Sequence, residues 1–360
     1  MIHRWRCNRG YSLAAAAAGV LGSLPPWGRE VAVAARSLPS ASVQRPTGSR
    51  QSADGLPGQS LAAGRPPETA FLLQAQTDLR HRQPRKAIAA LEQGLAIYPR
   101  SVPLHFAAAR VLAQEGDYLR ARGHYQRMVA LAPRVVEGYF GLAQAAFARR
   151  DYGASVAALR NVLRLQPNSA TAYAKLGRSY AQEYEARKAE AALQKALALA
   201  PTSAEAHFYL GDLMLGLSRL DEAQQHLEQA IALDPGNAHF YAKLGEVFLQ
   251  RQQNAANSAR ALAAYQQAVQ RNPRLAEAHY GLGRVYARQR RWREAAGELR
   301  TALRLQPDMG RAHYTLAQVC RRLGQPGEAA AHLEAFRRYR ARRPDQSADR
   351  SPKARKPAKG

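Results

Sequence analysis

The sequence predicts an all-α protein built from about eight copies of one helix-turn-helix unit. Two features predict it: prolines recur at a nearly fixed interval, and apolar residues recur at helical spacing inside each interval. The interval is 34 residues, with one exception of 38. A fixed period of this length is typical of stacked supersecondary units. The prolines that set the period are Pro99, Pro133, Pro167, Pro201, Pro235, Pro273 and Pro307.

Each predicted unit contains two helices. When each of these prolines is counted as position 32, apolar or small residues fall at positions 4, 7, 8 and 11, and again at 20, 24 and 27. Positions 8 and 20 are mostly Gly or Ala, which lets the two helices approach closely. A proline cannot continue a helix, so it sets the turn into the next unit. The predicted units are 68–101, 102–135, 136–169, 170–203, 204–237, 238–275, 276–309 and 310–343.

This pattern resembles the tetratricopeptide repeat over about three quarters of the chain. The resemblance implies a right-handed superhelical solenoid whose first helices line a concave groove, mainly through positions 2, 5, 6, 9, 12 and 13. Early units fit less well, since Gln74 and Asp78 occupy apolar positions, as expected of terminal repeats that cap a stack. The unit that fits best carries Tyr173, Leu176, Gly177, Tyr180, Ala189, Leu193, Ala196 and Pro201.

The implied groove combines aromatic rings with charged side chains. Tyr, Phe and Arg commonly anchor protein interfaces, so we expect a partner protein or peptide to bind there. The alternative is that part of the aromatic set packs between neighbouring first helices. The candidate partner-binding residues are Phe106, Arg110, Phe140, Lys175, Arg178, Phe208, Asp212, Lys243, Glu246, Tyr280, Arg284 and Tyr314.

The repeat region carries no recognisable catalytic motif. It has no glycine-rich phosphate loop, no His-Glu-x-x-His, no Gly-x-Ser-x-Gly and no cysteine pair. We therefore predict a protein that is not an enzyme and has no cofactor or metal site. Cys320 occupies an apolar position and is interpreted as a core residue. Four histidines share position 4 of separate units and are interpreted as packing residues: His105, His207, His279 and His313.

The chain ends differ from the repeats. Residues 1–35 carry Arg4, Arg6 and Arg9, then an apolar run at 13–24 and a small-residue site at 32–34, which is the order of a secretory signal peptide. The run is too short to span a bilayer, which takes about 20 apolar residues. An organellar transit peptide and an uncleaved anchor are the alternatives. Residues 36–67 are expected to be a flexible linker, and residues 344–360 a disordered basic tail.

The chain is strongly basic, with 53 Lys and Arg against 27 Asp and Glu. This balance suits acidic proteins, nucleic acid or anionic membrane, although arginines on polar helix faces can simply be solvated. Charge is uneven: residues 276–343 carry a net charge of +9, and residues 204–237 carry −5.

These observations favour a non-enzymatic scaffold. The resemblance implies an exported, periplasmic bacterial adaptor that serves an envelope assembly such as a pilus, secretion or exopolysaccharide machine. A nucleic-acid-binding or organellar repeat protein that uses its basic surface is the alternative.

Four extra residues in the sixth unit, between Phe248 and Ala261, either are a neutral insertion or contact a partner. They either lengthen the turn or add one helical turn.

Overall fold

The computed structural model describes residues 66–251 and 254–341, and this part of the chain contains sixteen α-helices and no strand. The predicted targeting peptide, the basic tail and nearly all of the linker lie outside the described residues. The helices are α1 (Glu68–Arg80), α2 (Pro84–Ile97), α3 (Val102–Gln114), α4 (Tyr118–Leu131), α5 (Val136–Ala148), α6 (Tyr152–Leu165), α7 (Ala170–Gln182), α8 (Ala186–Leu199), α9 (Ala204–Gly216), α10 (Leu220–Leu233), α11 (Ala238–Gln250), α12 (Ala255–Arg271), α13 (Ala276–Arg288), α14 (Trp292–Leu305), α15 (Gly310–Arg322) and α16 (Pro326–Ala341).

The helices pack in consecutive pairs, and each pair occupies one predicted repeat. We call these pairs hairpins 1 to 8, from α1–α2 to α15–α16. The chain forms two compact units: an N-terminal unit up to Pro167, with hairpins 1 to 3, and a C-terminal unit from Asn168, with hairpins 4 to 8. Within each unit, the first helix of a hairpin also contacts the first helix of the next hairpin. The prediction of an all-α array of paired helices is confirmed.

Short polar side chains start many of the helices. The side chains of Ser169 and Ser203 accept hydrogen bonds from backbone N–H groups three residues further on and so cap α7 and α9. Asp117 and Asp151 cap the second helices α4 and α6 in the same way. A carboxylate at this end also interacts favourably with the positive end of the helix dipole.

Small residues at position 8 set the distance between the two helices of a hairpin. A Cβ atom added to Gly211 would lie 2.8 Å from Cγ of Leu227 and 3.2 Å from the carbonyl oxygen of Ala223. Gly177 has the same relation to Leu193, at 2.5 Å. The predicted role of the small residue at this position therefore has a direct structural cause.

Position 24 holds Tyr instead of Leu in hairpins 2 and 6, and this change is matched across the hairpin boundary. A Cβ atom added to Gly141 would lie 2.2 Å from Cε1 of Tyr125, and one added to Gly281 would lie 2.1 Å from Cε1 of Tyr265. Both glycines are at position 6 of the following hairpin, where no other hairpin has Gly. The larger ring thus occupies the space that a side chain at position 6 would need.

The extra residues of hairpin 6 mostly lengthen its second helix. The helix α12 has 17 residues, whereas α10 and α14 on either side have 14. The side chain of Asn254 accepts a hydrogen bond from the backbone N–H of Asn257 at 2.7 Å and so caps the extended helix. Three of the four extra residues therefore extend the helix, rather than the turn before it.

Candidate partner-binding surface

The twelve predicted partner-binding residues all lie on first helices. In the N-terminal unit, Phe106 and Arg110 on α3 and Phe140 on α5 line one cavity of about 320 Å³, together with Tyr125 and Gln144. The Arg110 guanidinium carbon lies 5.7 Å from the centre of the Phe106 ring, a cation–π distance. The fold therefore brings together three of the predicted residues at this place.

In the C-terminal unit, predicted residues form ion pairs that join the first helices of neighbouring hairpins. The paired side chains are roughly a quarter to two fifths exposed. Pairs at such exposure contribute about 0–1 kcal/mol each, so a partner can replace them at low cost. The pairs are Lys175 with Glu205 (3.2 Å), Lys243 with Asp212 (2.5 Å) and Arg284 with Glu246 (2.8 Å).

The pair between Arg284 and Glu246 is part of a partly buried network. The hydroxyl of Tyr265, which is 1% exposed, donates a hydrogen bond to the second oxygen of Glu246 at 3.4 Å. Burial, and next the nearby negative charge of Glu246, raises the pKa of Tyr265 well above its ordinary value. Because Tyr265 stays protonated, it holds this carboxylate in one orientation.

A second polar cluster connects α7 and α9. The Arg178 guanidinium donates a hydrogen bond to the Tyr209 hydroxyl at 3.2 Å, and its carbon lies 5.2 Å from the centre of the Tyr209 ring. The Tyr209 hydroxyl donates in turn to Glu205 at 2.7 Å, while burial followed by the Glu205 charge raises the pKa of Tyr209. The neighbouring Phe208 is partly exposed and packs on Phe240, with ring centres 4.9 Å apart.

The predicted aromatic residues differ in exposure. Phe106 and Tyr280 are 6% and 8% exposed and belong to hydrophobic core clusters. Tyr314, in contrast, is 45% exposed and packs at the surface on Phe336. Phe140 and Phe208 are intermediate. The first helices therefore use part of this aromatic set for packing and present the rest to solvent.

A larger cavity in the C-terminal unit contains residues that the sequence analysis did not name. It lies between α13, α14 and α15 and has a volume of about 690 Å³. Arg288, Trp292, Arg321 and Arg322 line it together with Arg284, and none of its described lining residues is acidic. We call it the arginine cavity. Arg288, Arg321 and Arg322 occupy positions 12 and 13, which the family resemblance had included among groove positions, so a sequence signal for them existed.

The histidines at position 4 do not converge on one site, because each contacts the proline that precedes its hairpin and a side chain on the second helix of that hairpin. Each has Nε2 at 2.9–3.1 Å from the carbonyl oxygen of the proline six residues earlier. In the described parts of the chain, no three His, Cys, Asp or Glu side chains are grouped so as to hold a metal ion. The Nδ1 contacts join His105 with His124 (3.0 Å), His207 with His226 (3.1 Å), His313 with His332 (3.0 Å) and His279 with Glu298 (2.6 Å).

Across residues 66–251 and 254–341, no helix combines the length and the apolar composition that crossing a bilayer requires.

Comparisons with known proteins identify the repeat. A tetratricopeptide repeat family model matches residues 72–135, 140–204 and 282–348, which together exceed half of the chain. Further models of the same repeat match residues 204–237 and 259–290. A search of curated proteins found no match.

Solved structures show the same fold. A tetratricopeptide repeat protein from Parabacteroides merdae ATCC 43184 is 14% identical with a TM-score of 0.60, and the match covers 70% of this chain and 98% of that one. The hetero-tetramer Cut9–Hcn1 of APC/C contains a chain that is 19% identical with a TM-score of 0.58. That match covers 75% of this chain and 52% of the other, so the protein spans about half the length of that relative.

Proposed function

Because the chain belongs to the tetratricopeptide repeat family, we propose that it is a non-enzymatic scaffold that binds a segment of a partner protein on its first helices. One observation carries the proposal: in both compact units, aromatic rings and charged groups of the first helices are partly exposed and closely spaced. Rings provide contact area at low entropic cost, and charges of both signs fix the register of a bound segment.

The ion pairs of the C-terminal unit are suited to this role. A partner with an acidic group can replace Glu205 at Lys175, and one with a basic group can replace Lys243 at Asp212. Each exchange conserves the number of pairs, so the cost of opening the internal contacts stays small. The exchange also rejects segments whose charges fall in the wrong order.

The finer part of the proposal is that the scaffold is exported and serves the assembly of an envelope complex. The support is the order of features in residues 1–35: arginines, a short apolar run and a small-residue site. An organellar location is the alternative, because the same segment is rich in Arg and Ser and almost free of acidic residues.

The test of binding by the first helices compares variants once a partner has been captured from the native host and identified by mass spectrometry. Phe208→Ala and Arg178→Glu should each weaken binding of that partner by about 2 kcal/mol or more, as loss of an anchor does. Isothermal titration calorimetry with the purified full chain measures the change.

A matched control is Arg187→Glu, which makes the same charge change at an exposed position of the second helix α8. Gln224→Ala on α10 controls for side-chain truncation. Circular dichroism verifies that all variants are folded. Equal binding by folded groove variants and controls would refute the assignment of the partner site to the first helices.

A further inference from the structure

The arginine cavity has a charge balance that the fold itself does not require. Arg284 pairs with Glu246 at 2.8 Å, and Arg288 donates a hydrogen bond to the carbonyl oxygen of Leu249 at 2.5 Å. Arg321 and Arg322 follow in the last turn of α15, and both are exposed. Four guanidinium groups thus surround one cavity whose described lining includes no carboxylate.

The neighbouring charges act on one another. Burial lowers the pKa of Arg288, and the positive charge of Arg284 lowers it further. The second effect reflects two guanidinium groups that lie close to each other, so a negative group entering the cavity would relieve their mutual repulsion. Guanidinium groups suit a carboxylate in particular because they can donate two parallel hydrogen bonds to it.

The cavity also has an apolar part. Trp292, Ala287 and Val319 contribute to its lining, with Thr315 and Gln318 as neutral hydrogen-bonding groups. Its volume of about 690 Å³ lies within the range of about 300–1,000 Å³ typical of ligand sites. An occupant that combines negative charge with an apolar side chain therefore fits better than a simple anion.

We propose that the arginine cavity binds an acidic segment of a partner protein, with carboxylates at Arg321 and Arg322 and an apolar side chain against Trp292. The inference rests on the proposed scaffold function and names the chemistry of the partner at one place.

The surroundings favour a peptide over nucleic acid. The first helices α11 and α13 next to the cavity carry Glu246 and Glu277, whose side chains are 27% and 51% exposed. A nucleic acid draws its affinity from many phosphate contacts along an extended surface. Its backbone would pass these carboxylates, whereas a short acidic segment can be confined to the cavity.

The experiment uses the purified full chain and three fluorescein-labelled probes. The first is a short peptide of Glu residues with a central Leu, the second replaces every Glu with Gln, and the third is a single-stranded oligonucleotide of equal charge. Fluorescence anisotropy measures binding to the wild type, to Arg321→Gln/Arg322→Gln, and to Arg274→Gln/Arg304→Gln. The last variant removes the same charge from exposed positions of the C-terminal unit outside the cavity.

We expect the Glu peptide to bind the wild type and the Arg274→Gln/Arg304→Gln control alike, and the cavity variant at least about tenfold more weakly. The Gln peptide should bind weakly to all three proteins. Equal weakening in both double variants would show diffuse attraction and overturn the proposal. Tighter, cavity-dependent binding of the oligonucleotide would overturn it in favour of nucleic acid.

Tryptophan emission locates the bound peptide. An unlabelled Glu peptide should change the emission of the wild type but not that of Trp292→Phe, because Trp292 lines the cavity. The same change in both proteins would place the peptide elsewhere and overturn the proposal.

The two proposals also fail separately. If Phe208→Ala and Arg178→Glu abolish binding of an identified native partner but Arg321→Gln/Arg322→Gln does not, the cavity inference fails and the scaffold function stands. If that partner also survives the groove variants, the assignment to the first helices fails as well.

Discussion

At the scale of single residues, position 4 of each hairpin takes one of two forms, and position 23 decides which. Where position 23 is Ala, position 4 is Tyr or Phe; where position 23 is His or Glu, position 4 is His. Tyr and His can both donate to the carbonyl of the proline six residues earlier, since Tyr139 donates to Pro133 at 3.2 Å and His105 to Pro99 at 3.1 Å. The smaller imidazole leaves room for a second polar side chain, which it then hydrogen-bonds. This pairing can be seen in the aligned repeats, although only the structure gives its cause.

The histidine pairs predict a loss of stability in mild acid. The Nε2–H of His105 donates to a carbonyl, so its Nδ1 accepts a hydrogen bond from Nδ1–H of His124. Burial lowers the pKa of both rings. The positive charge of Arg127 lowers the pKa of His105 further. For His124, the charge of His105 lowers the pKa further, while Glu92 raises it and Arg120 lowers it. The unfolded chain then binds protons more readily, so stability is complete above pH about 6.5 and falls as the pH drops below it.

Melting temperatures of the full chain between pH 7 and pH 5 measure this effect, above the range in which most carboxylates titrate. The variant His105→Tyr/His124→Ala has the residues that other hairpins carry at positions 4 and 23. Its melting temperature should decrease less steeply with falling pH. The contribution of His279 to stability depends on pH in the opposite direction. Its hydrogen bond to Glu298 raises its pKa, so this contribution is lost as the pH rises. An unchanged slope in the double variant would contradict the assignment.

The contact between Tyr265 and Gly281 predicts a strong coupling between two residues. Gly281→Ala should lower the free energy of unfolding by about 1–3 kcal/mol, because the new methyl group overlaps the ring. In a Tyr265→Leu background the same change should cost much less, since Leu is the usual residue at position 24. Urea unfolding of the four proteins of this double-mutant cycle gives the coupling energy. Additive effects would show that the ring moves aside freely.

At the scale of elements, the turn between the two helices of a hairpin repeatedly uses the left-handed backbone region. Position 15 has positive φ in seven hairpins, and only Gly116 and Gly324 are glycines there. Tyr184 and Ser218, with φ of 61° and 59°, carry side chains in a conformation that costs about 1–2 kcal/mol without glycine. The sequence does not reveal this, because Arg, Tyr and Ser give no signal for such a turn.

This strain predicts a stabilising substitution. Ser218→Gly should raise the free energy of unfolding by up to about 1 kcal/mol, because the released strain exceeds the entropy that glycine loses on folding. Ser218→Ala is the control, since it removes the hydroxyl but keeps the Cβ atom and should not stabilise the protein. Thermal melts of the full chain compare the three proteins. No gain from Gly over Ala would mean that the turn relaxes.

The repeat pattern predicts the pairs of helices but not the exact length of each helix. The prolines between hairpins and the small residues at positions 8 and 20 within them predict the paired helices, because both recur along nearly the whole array. The pattern left open whether the extra residues of hairpin 6 lengthen a turn or a helix, since a polar stretch fits both. In the structure, three of these residues extend α12, and Asn254 is its N-cap.

At the scale of the whole molecule, the predicted site illustrates the limit of the repeat pattern. Register alone placed the twelve candidate residues on first helices. It could not show that Lys175, Lys243 and Arg284 are paired with acidic side chains of neighbouring hairpins, because such pairs depend on rotamers and helix packing. Nor did it identify the arginine cavity, which only forms where α13, α14 and α15 meet.

Export is also a property of the whole chain. We predict that residues 1 to about 35 are removed, because an apolar run of this length between arginines and a small-residue site is typical of a signal peptide. N-terminal sequencing of the protein isolated from its native host measures this. An intact Met1 on protein from the cytosol would refute the prediction and return attention to nucleic acid as the partner of the basic surface.

The Tyr–Gly contacts across hairpin boundaries restrict how the copy number of the repeats can change. Removing hairpin 7 as one cassette would bring Thr315 to the place of Gly281, where the ring of Tyr265 leaves no room for a side chain. Duplicating hairpin 6 alone would set Tyr265 against a second Lys243 in the same way. We therefore expect that hairpins 6 and 7 can be grafted only as one cassette, and hairpins 2 and 3, joined by Tyr125 and Gly141, as another. A designer who shortens or extends this array should cut outside these two joints.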